Sequence, residues 1–390
     1  MGYVFVGKEK ELVKNTAIIT FGKLCTQMVS FLLLPLYTTA LSAEEYGIID
    51  LAMTYSSLFL PFITLALEQG LFRFLIDVRG NKEKASQYIS TVIFVSVVMN
   101  GFMLIMIGII GAISGNELFF YFFLVLIGTV SSTVSLQIAR GLGDTVGYTI
   151  GSAVTAIVQL ICSVLFLFIF HYGASGMMLA TGIGGIVCGI IICFRCNVKS
   201  FFRFKYVNKD ALGSLLNYSL PLIPNQLSWW ALNASDRVIV HCFIGIAGNG
   251  LLAVANKFSG MYIQFSNIFN ISWTESAAVH FGDKDAELFF NQTINIVYRL
   301  FMSVCCGIIS CMPFVFPFMV NGQFGDSYGL IPIFMVASLF NVVVSLYGVI
   351  YVAHKKTVEI GKTALFAASL NVVSHLVLIH FIGIYAAAVS

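Results

Sequence analysis

Apolar stretches of about 20 residues, the length a helix needs to cross a hydrocarbon core, recur along the whole of this 390-residue chain. Short polar breaks separate them. The predicted spans are 15–37, 47–71, 88–112, 118–138, 148–170, 174–194, 214–240, 249–273, 289–316, 328–351 and 363–382, and a twelfth opens at Tyr385. Only 10% of the residues are charged and 58% are hydrophobic. A soluble domain carries about 25% charged residues, so this chain has too little polar surface to face water. The expected fold class is an all-α polytopic membrane protein. Lys8, Lys10 and Lys14 precede the first run, which is too long for a signal-peptide core and is followed by no small-residue cleavage site, so it is expected to stay as the first span.

The positions of the charges orient the chain. With the N-terminus on the cytoplasmic side, all but four of the 21 Lys and Arg fall in loops of that side, including Arg73, Arg79, Lys82, Lys84, Arg140 and the cluster Arg195, Lys199, Arg203, Lys205 and Lys209. The outer loops carry acids such as Glu44, Glu45, Glu117 and Asp326. Basic residues concentrate in cytoplasmic loops, so the chain is expected to be multi-pass with its N-terminus in the cytoplasm.

The longest inner loop, 195–209, divides the spans into two sets of six that echo each other. Asn15 matches Asn217, and Gly80-Asn81-Lys82-Glu83 matches Gly282-Asp283-Lys284-Asp285, both at a spacing of 202 residues; Gly47 and Ala52 match Gly250 and Ala255 at 203. Six spans per copy bring both copies in from the same side, which makes a parallel pseudo-two-fold repeat. The expected organisation is an N-terminal lobe, 1–206, and a C-terminal lobe, 207–390, with the twelfth helix cut short at Ser390.

The four remaining cations, Lys23, Arg237, Lys257 and Arg299, lie inside apolar runs. A charge at a helix centre costs roughly 3 kcal/mol on the insertion scale and marks a functional site by default. Lys23 lies nine residues past Lys14, about 14 Å into the membrane at 1.5 Å per residue. Polar stripes accompany these cations: Thr16, Thr20, Lys23, Gln27 and Ser30 on span 1; Pro221, Asn225, Ser228 and Ser235 on span 7; Lys257, Gly260, Gln264, Asn267 and Thr274 on span 8. Helix-to-helix glue explains any single Ser, Thr or Asn of these stripes. It explains the cations less readily, although Arg237 could also snorkel or pair with its neighbour Asp236. Together they suggest a cationic cavity suited to a phosphate, a diphosphate or an acidic sugar. Asn225 and Gln264 add donors and acceptors for sugar hydroxyls. Trp229, Trp230 and Trp273 could stack on sugar faces, Trp273 being better explained as an interfacial belt residue. Glu68 and Asp236 are the candidates for ion coupling.

Other chemistries are poorly supported. The Cys193/Cys196 pair stands alone, no His pair has metal-ligand spacing, and no phosphate-binding loop motif occurs, so neither cofactor nor metal is expected. The loops leave no room for an extramembrane catalytic domain, and the chain is not expected to be an enzyme. Nothing points to nucleic acid.

The opening KNTAIITFGKLCTQMVSFLLLPLYTTALSAEEYGIIDL resembles the first two spans of bacterial polysaccharide-repeat (O-antigen or capsule) flippases of the Wzx type. So do LEQGLFRFL after span 2 and YSLPLIPNQLSWWALNASDRVIV, with its proline pair and Asp-Arg. These belong to the MATE-like multidrug/oligosaccharidyl-lipid/polysaccharide superfamily. The resemblance implies twelve helices in two lobes around a central cavity. It also implies movement of an undecaprenyl-diphosphate-linked oligosaccharide by alternating access, in the setting of membrane lipid and polysaccharide polymerase machinery. Cationic lumen residues are a trait of the family, and Lys23, Arg237, Lys257 and Arg299 match it. The alternatives are a cation-coupled multidrug exporter of the same superfamily, which would want acids in the lumen, and a membrane-embedded glycan-modifying enzyme, which would want a large outer loop or a His-based site.

Overall fold

Helices follow one another from end to end, as hydrocarbon demands of a chain that must satisfy every backbone N–H and C=O internally. The computed structural model describes residues 20, 22, 26–280, 285–353 and 357–390, and no strand occurs among them. Helix α1 covers residues 26–40. It is followed by α2 (Ala43–Ile63), α3 (Leu67–Asp77), α4 (Lys82–Ser114), α5 (Leu118–Leu142), α6 (Thr145–Val164) and α7 (Gly173–Arg195). Then come α8 (Lys209–Ser219), α9 (Leu222–Phe243), α10 (Ile246–His280), α11 (Ala286–Met319), α12 (Leu330–Ala353), α13 (Thr357–Ile382) and the short α14 (Tyr385–Val389). Among the described residues eight helices are long and apolar enough to cross a membrane. The chain is a multi-pass membrane protein. Helices α9 and α10, which carry Arg237 and Lys257, fall outside those eight.

Two predicted spans are each broken into two helices. The span 47–71 is interrupted at residues 64–66, where Leu65 and Ala66 take the left-handed conformation with φ of 52° and 53°. Pro61 lies inside α2, and its carbonyl accepts from the Ala66 amide at 3.1 Å, five residues on rather than four. The break lies one turn after Pro61, whose ring disturbs the turn before it rather than the one after. Similarly, 214–240 divides into α8 and α9 at Leu220 and Pro221, because proline cannot donate to the helix that would run through it.

The chain forms two compact units, Met1–Ser30 with Ala52–Trp230, and Phe31–Leu51 with Ala231–Ser390. In the first, α3, α4 and α5 share a core in which Leu67, Leu71, Leu75, Ile89, Val92 and Leu126 are fully buried. Helices α5 and α7 approach through glycines: a Cβ on Gly128 would lie 2.5 Å from the Gly182 carbonyl oxygen, and one on Gly185 would run into the Gly128 carbonyl. Small residues at such crossings replace the hydrophobic drive that lipid cannot supply. The inner loop is tied down along α4. Ser90 Oγ donates to Phe201 O at 3.2 Å and accepts from the Arg203 amide at 3.1 Å, and Thr91 Oγ1 accepts from the Asn208 amide at 3.2 Å.

In the second unit, α10 packs along α12 and α11. Trp273 donates its indole N–H to Leu346 O at 3.1 Å, and the Tyr262 hydroxyl donates to Phe301 O at 3.0 Å. Trp273 is 2% exposed, so it is neither an interfacial belt residue nor a sugar platform. The segment 31–51 docks on the loop after α11, where Gln323 Nε2 donates to Thr38 O and Leu41 O at 3.3 and 3.0 Å.

Candidate functional site

Ala43 and Gly47 on α2 face Ile246 and Gly250 on α10, and this crossing positions the polar groups beside it. A Cβ on Gly47 would collide with the Ile246 carbonyl, and one on Gly250 with the Ala43 carbonyl. The backbones therefore lie closer than any side chain permits. Three residues past Gly47, Asp50 emerges where α9 and α10 both reach it. Arg237 Nε donates to Asp50 Oδ2 at 2.8 Å, and Arg237 Nη1 donates to its own helix at Asn233 O, 2.9 Å. Asn249 Nδ2 donates to the same Asp50 oxygen at 3.2 Å and to Gly47 O at 3.3 Å. Asn249 is fully buried, and its Oδ1 has no hydrogen-bond partner among the described residues. Lys257, two turns further along α10 and half-buried, lies close enough to Asp50 and Arg237 for both charges to act on it.

The cluster thus brings two cations, Arg237 and Lys257, to the Asp50 carboxylate among the described residues. Arg237 is paired, with Asp50 across the helix crossing rather than with its sequence neighbour Asp236. Successive residues on a helix point about 100° apart, which leaves Asp236 for another face of α9. There it meets His375 of α13, whose Nδ1 lies 2.9 Å from Asp236 Oδ1. His375 is fully buried, and neither its Nε2 nor Asn371 Oδ1, one turn earlier on α13, has a hydrogen-bond partner among the described residues. The sequence alone did not single out Asp50, Asn249 or His375. The signal that could have found them is the presence of polar side chains in runs otherwise apolar, of which His375 in LNVVSHLVLI is the plainest.

The other expected residues are distributed as follows. Lys23 lies outside the described residues. Arg299 stands on the exposed face of α11 between Ile296 and Leu300, which are 67% and 59% exposed. Gln264 is half-buried on α10. Asn225 is exposed on the part of α9 that belongs to the first unit. In that unit too, Trp230 is committed to the protein itself, donating to Thr54 O at 3.0 Å, and Trp229 is 57% exposed. Glu68, in the first turn of α3 just past the left-handed break, is 1% exposed, with Oε2 lacking a hydrogen-bond partner among the described residues. No grouping of three or more metal-ligating side chains occurs among the described residues.

Residues 12–273 match the family described as polysaccharide biosynthesis protein. A protein of the Lsg locus of Haemophilus influenzae is 23% identical over 259 residues, 64% of this chain and 61% of that protein. A membrane protein of the same organism is 24% identical over 253 residues, 64% of this chain and 60% of that one. The matched region therefore spans about three fifths of either relative. Among solved structures, an inward-facing multidrug resistance MATE family transporter of the MOP superfamily superposes with a TM-score of 0.73 at 16% identity, covering 93% of this chain and 90% of the other. A MOP superfamily transporter from Pyrococcus furiosus, described as having a binding pocket of reversed polarity, superposes with a TM-score of 0.58 at 16% identity, covering 96% and 90%. At such identities the likeness is one of fold: the helices are arranged as in MATE transporters.

Proposed function

The chain belongs to the polysaccharide biosynthesis protein family, and on that footing we propose that it is a flippase for a polyprenyl-diphosphate-linked oligosaccharide. In this reading the undecaprenyl-diphosphate-linked repeat unit enters from the cytoplasmic side of a bacterial inner membrane, which the basic loops face. It leaves outward by alternating access between lobes 1–206 and 207–390. The polyprenyl tail stays in lipid while the head group occupies a polar cavity.

The observation that carries the proposal is the meeting of two cationic side chains, Arg237 and Lys257, around Asp50 at the crossing of α2, α9 and α10. Arg237 is paired with Asp50, and Lys257 lies within electrostatic reach of both. In the empty protein Asp50 neutralises Arg237, so the guanidinium is not left uncompensated in a low dielectric. An arriving diphosphate offers more negative charge and a geometry that a guanidinium can bind in bidentate fashion. It competes with Asp50 for Arg237 while Lys257 supplies a second contact. Gln264, two turns past Lys257 on α10, meets sugar hydroxyls. Release from Arg237 restores the Asp50 pair, so the carboxylate acts as a built-in displacing anion. Asp236 with His375, and Glu68, are the groups through which an ion gradient would drive the cycle.

A transport assay with vesicles holding the purified protein and a fluorescent undecaprenyl-diphosphate oligosaccharide tests the reading. Wild type should move the lipid between leaflets, and Lys257→Gln should slow it at least tenfold without loss of folded protein. The MATE fold supports a second reading, cation-coupled drug export, and movement of an organic cation with no movement of the lipid would establish that reading instead.

A further inference from the structure

A groove on the surface of the first compact unit has the dimensions and chemistry of a site for one lipid. Helices α4, α5 and α7 enclose a cavity of about 520 Å³. Along α5 its wall runs from Ile127 to Ile138, eleven residues or about 16 Å at 1.5 Å per residue. Half of a hydrocarbon core about 30 Å thick is about 15 Å, so the groove is one leaflet deep. Its rim is apolar and open: Val97, Ile190 and Phe194 are 64%, 48% and 70% exposed. Such a rim meets hydrocarbon rather than water.

The groove is not uniformly greasy. Lys199, from the basic loop, lines its mouth, with Nζ 5.3 Å from the centre of the Phe194 ring. No acidic residue lines it among the described residues. Deeper, Ser96 is 6% exposed, and its hydroxyl has no hydrogen-bond partner among the described residues. Ser96 lies six residues, or about 9 Å, along α4 from Ser90, which ties the loop at the mouth. An orphaned hydroxyl at membrane depth is costly.

We propose that this groove binds an anionic glycerophospholipid from the leaflet that meets the basic loops. The phosphate sits at Lys199, as basic pockets between spanning helices hold anionic head groups. The ester carbonyl, a short distance below the phosphate, accepts from the Ser96 hydroxyl. One acyl chain fills the groove to the membrane midplane. A polyprenyl phosphate would offer the same phosphate but no carbonyl for Ser96, and a tail longer than one leaflet would leave the groove. The site is independent of which substrate the transporter carries.

Native mass spectrometry of the full-length protein tests this after reconstitution with equal amounts of phosphatidylglycerol and phosphatidylcholine. One phosphatidylglycerol should be retained per chain. Lys199→Gln should weaken retention about fivefold, the equivalent of ~1 kcal/mol for one basic residue at an anionic surface. Val97→Trp, which blocks the open mouth from an exposed position, should abolish it, and neither substitution should shift the melting temperature. Ser96→Ala should lower retention of ester-linked phosphatidylglycerol and leave that of its ether-linked analogue unchanged. Equal retention of the two phospholipids would overturn the proposal, as would retention indifferent to Lys199→Gln and Val97→Trp. Displacement of phosphatidylglycerol by equimolar polyprenyl phosphate would overturn it in favour of a prenyl site.

Discussion

Gly47 and Gly250, 203 residues apart, meet across a helix crossing, each facing the backbone carbonyl of the residue four positions before the other: Gly47 against Ile246 O, and Gly250 against Ala43 O. Ile246 also follows Ala43 by 203 residues. The two contacts are therefore equivalent under the internal repeat. Two copies of one small-residue face pack on each other, which is the self-complementary contact a two-fold relation produces.

That crossing leaves no space for a side chain. Gly47→Leu or Gly250→Leu should force α2 and α10 apart and cost about 2 kcal/mol or more, in the range for overpacking a dense contact. Thermal unfolding in detergent reads this directly, with Gly307→Leu, where a Cβ meets nothing within 4 Å, as the control. Equal melting temperatures for all three variants would show that the close approach is not needed.

The Arg237–Asp50 pair makes a distinct pattern. Its side chains are only 21% and 20% exposed, so removing one partner strands the other charge. Asp50→Asn or Arg237→Met alone should destabilise by about 3 kcal/mol, while the double variant should cost much less than the sum. A double-mutant cycle on melting measures the coupling. Additive losses would mean that the contact is incidental.

Asp236→Asn and His375→Gln should leave the chain folded and change how transport responds to an imposed proton gradient, because the pair is the one buried imidazole–carboxylate contact among the described residues. Lipid movement in vesicles, with and without a pH difference, is the measurement. Wild-type gradient dependence in both variants would remove the pair from any coupling role.

On the basic surface, Asp144 caps α6 at the Gly147 amide and receives Arg195 from the end of α7, Nε at 2.6 Å and Nη2 at 3.1 Å. The Arg195 hydrogen bond holds the Asp144 carboxyl below the usual carboxylate range. A carboxyl whose value is lowered by folding stabilises the fold above its unfolded value, near 4, and loses that contribution as pH falls through the lowered native value. The melting-temperature gap between wild type and Asp144→Asn should therefore be present at pH 7 and narrow progressively as the pH falls below about 4. A gap as wide at pH 3 as at pH 7 would contradict the argument.

The periodic apolar runs determined the class of fold without help, because a bilayer accepts little besides helices of set length. Helices lie close to most predicted spans, and the repeat found in Gly47 and Gly250 reappears as a physical contact. The breaks at Leu65-Ala66 and at Pro221 were less legible: proline announces a disturbance, but whether a helix bends or ends depends on what its neighbours can pack against. Sequence reasoning identified Arg237 and Lys257 as costly cations needing partners. Only the tertiary structure decided that Asp50, brought in by a glycine crossing and held there by Asn249, is the partner of Arg237, and that Asp236 turns the other way to His375. Burial and helical periodicity are properties of a local stretch and can be read from it. Pairing between residues 187 and 139 positions apart is a property of how helices cross, which the packing of the folded chain sets.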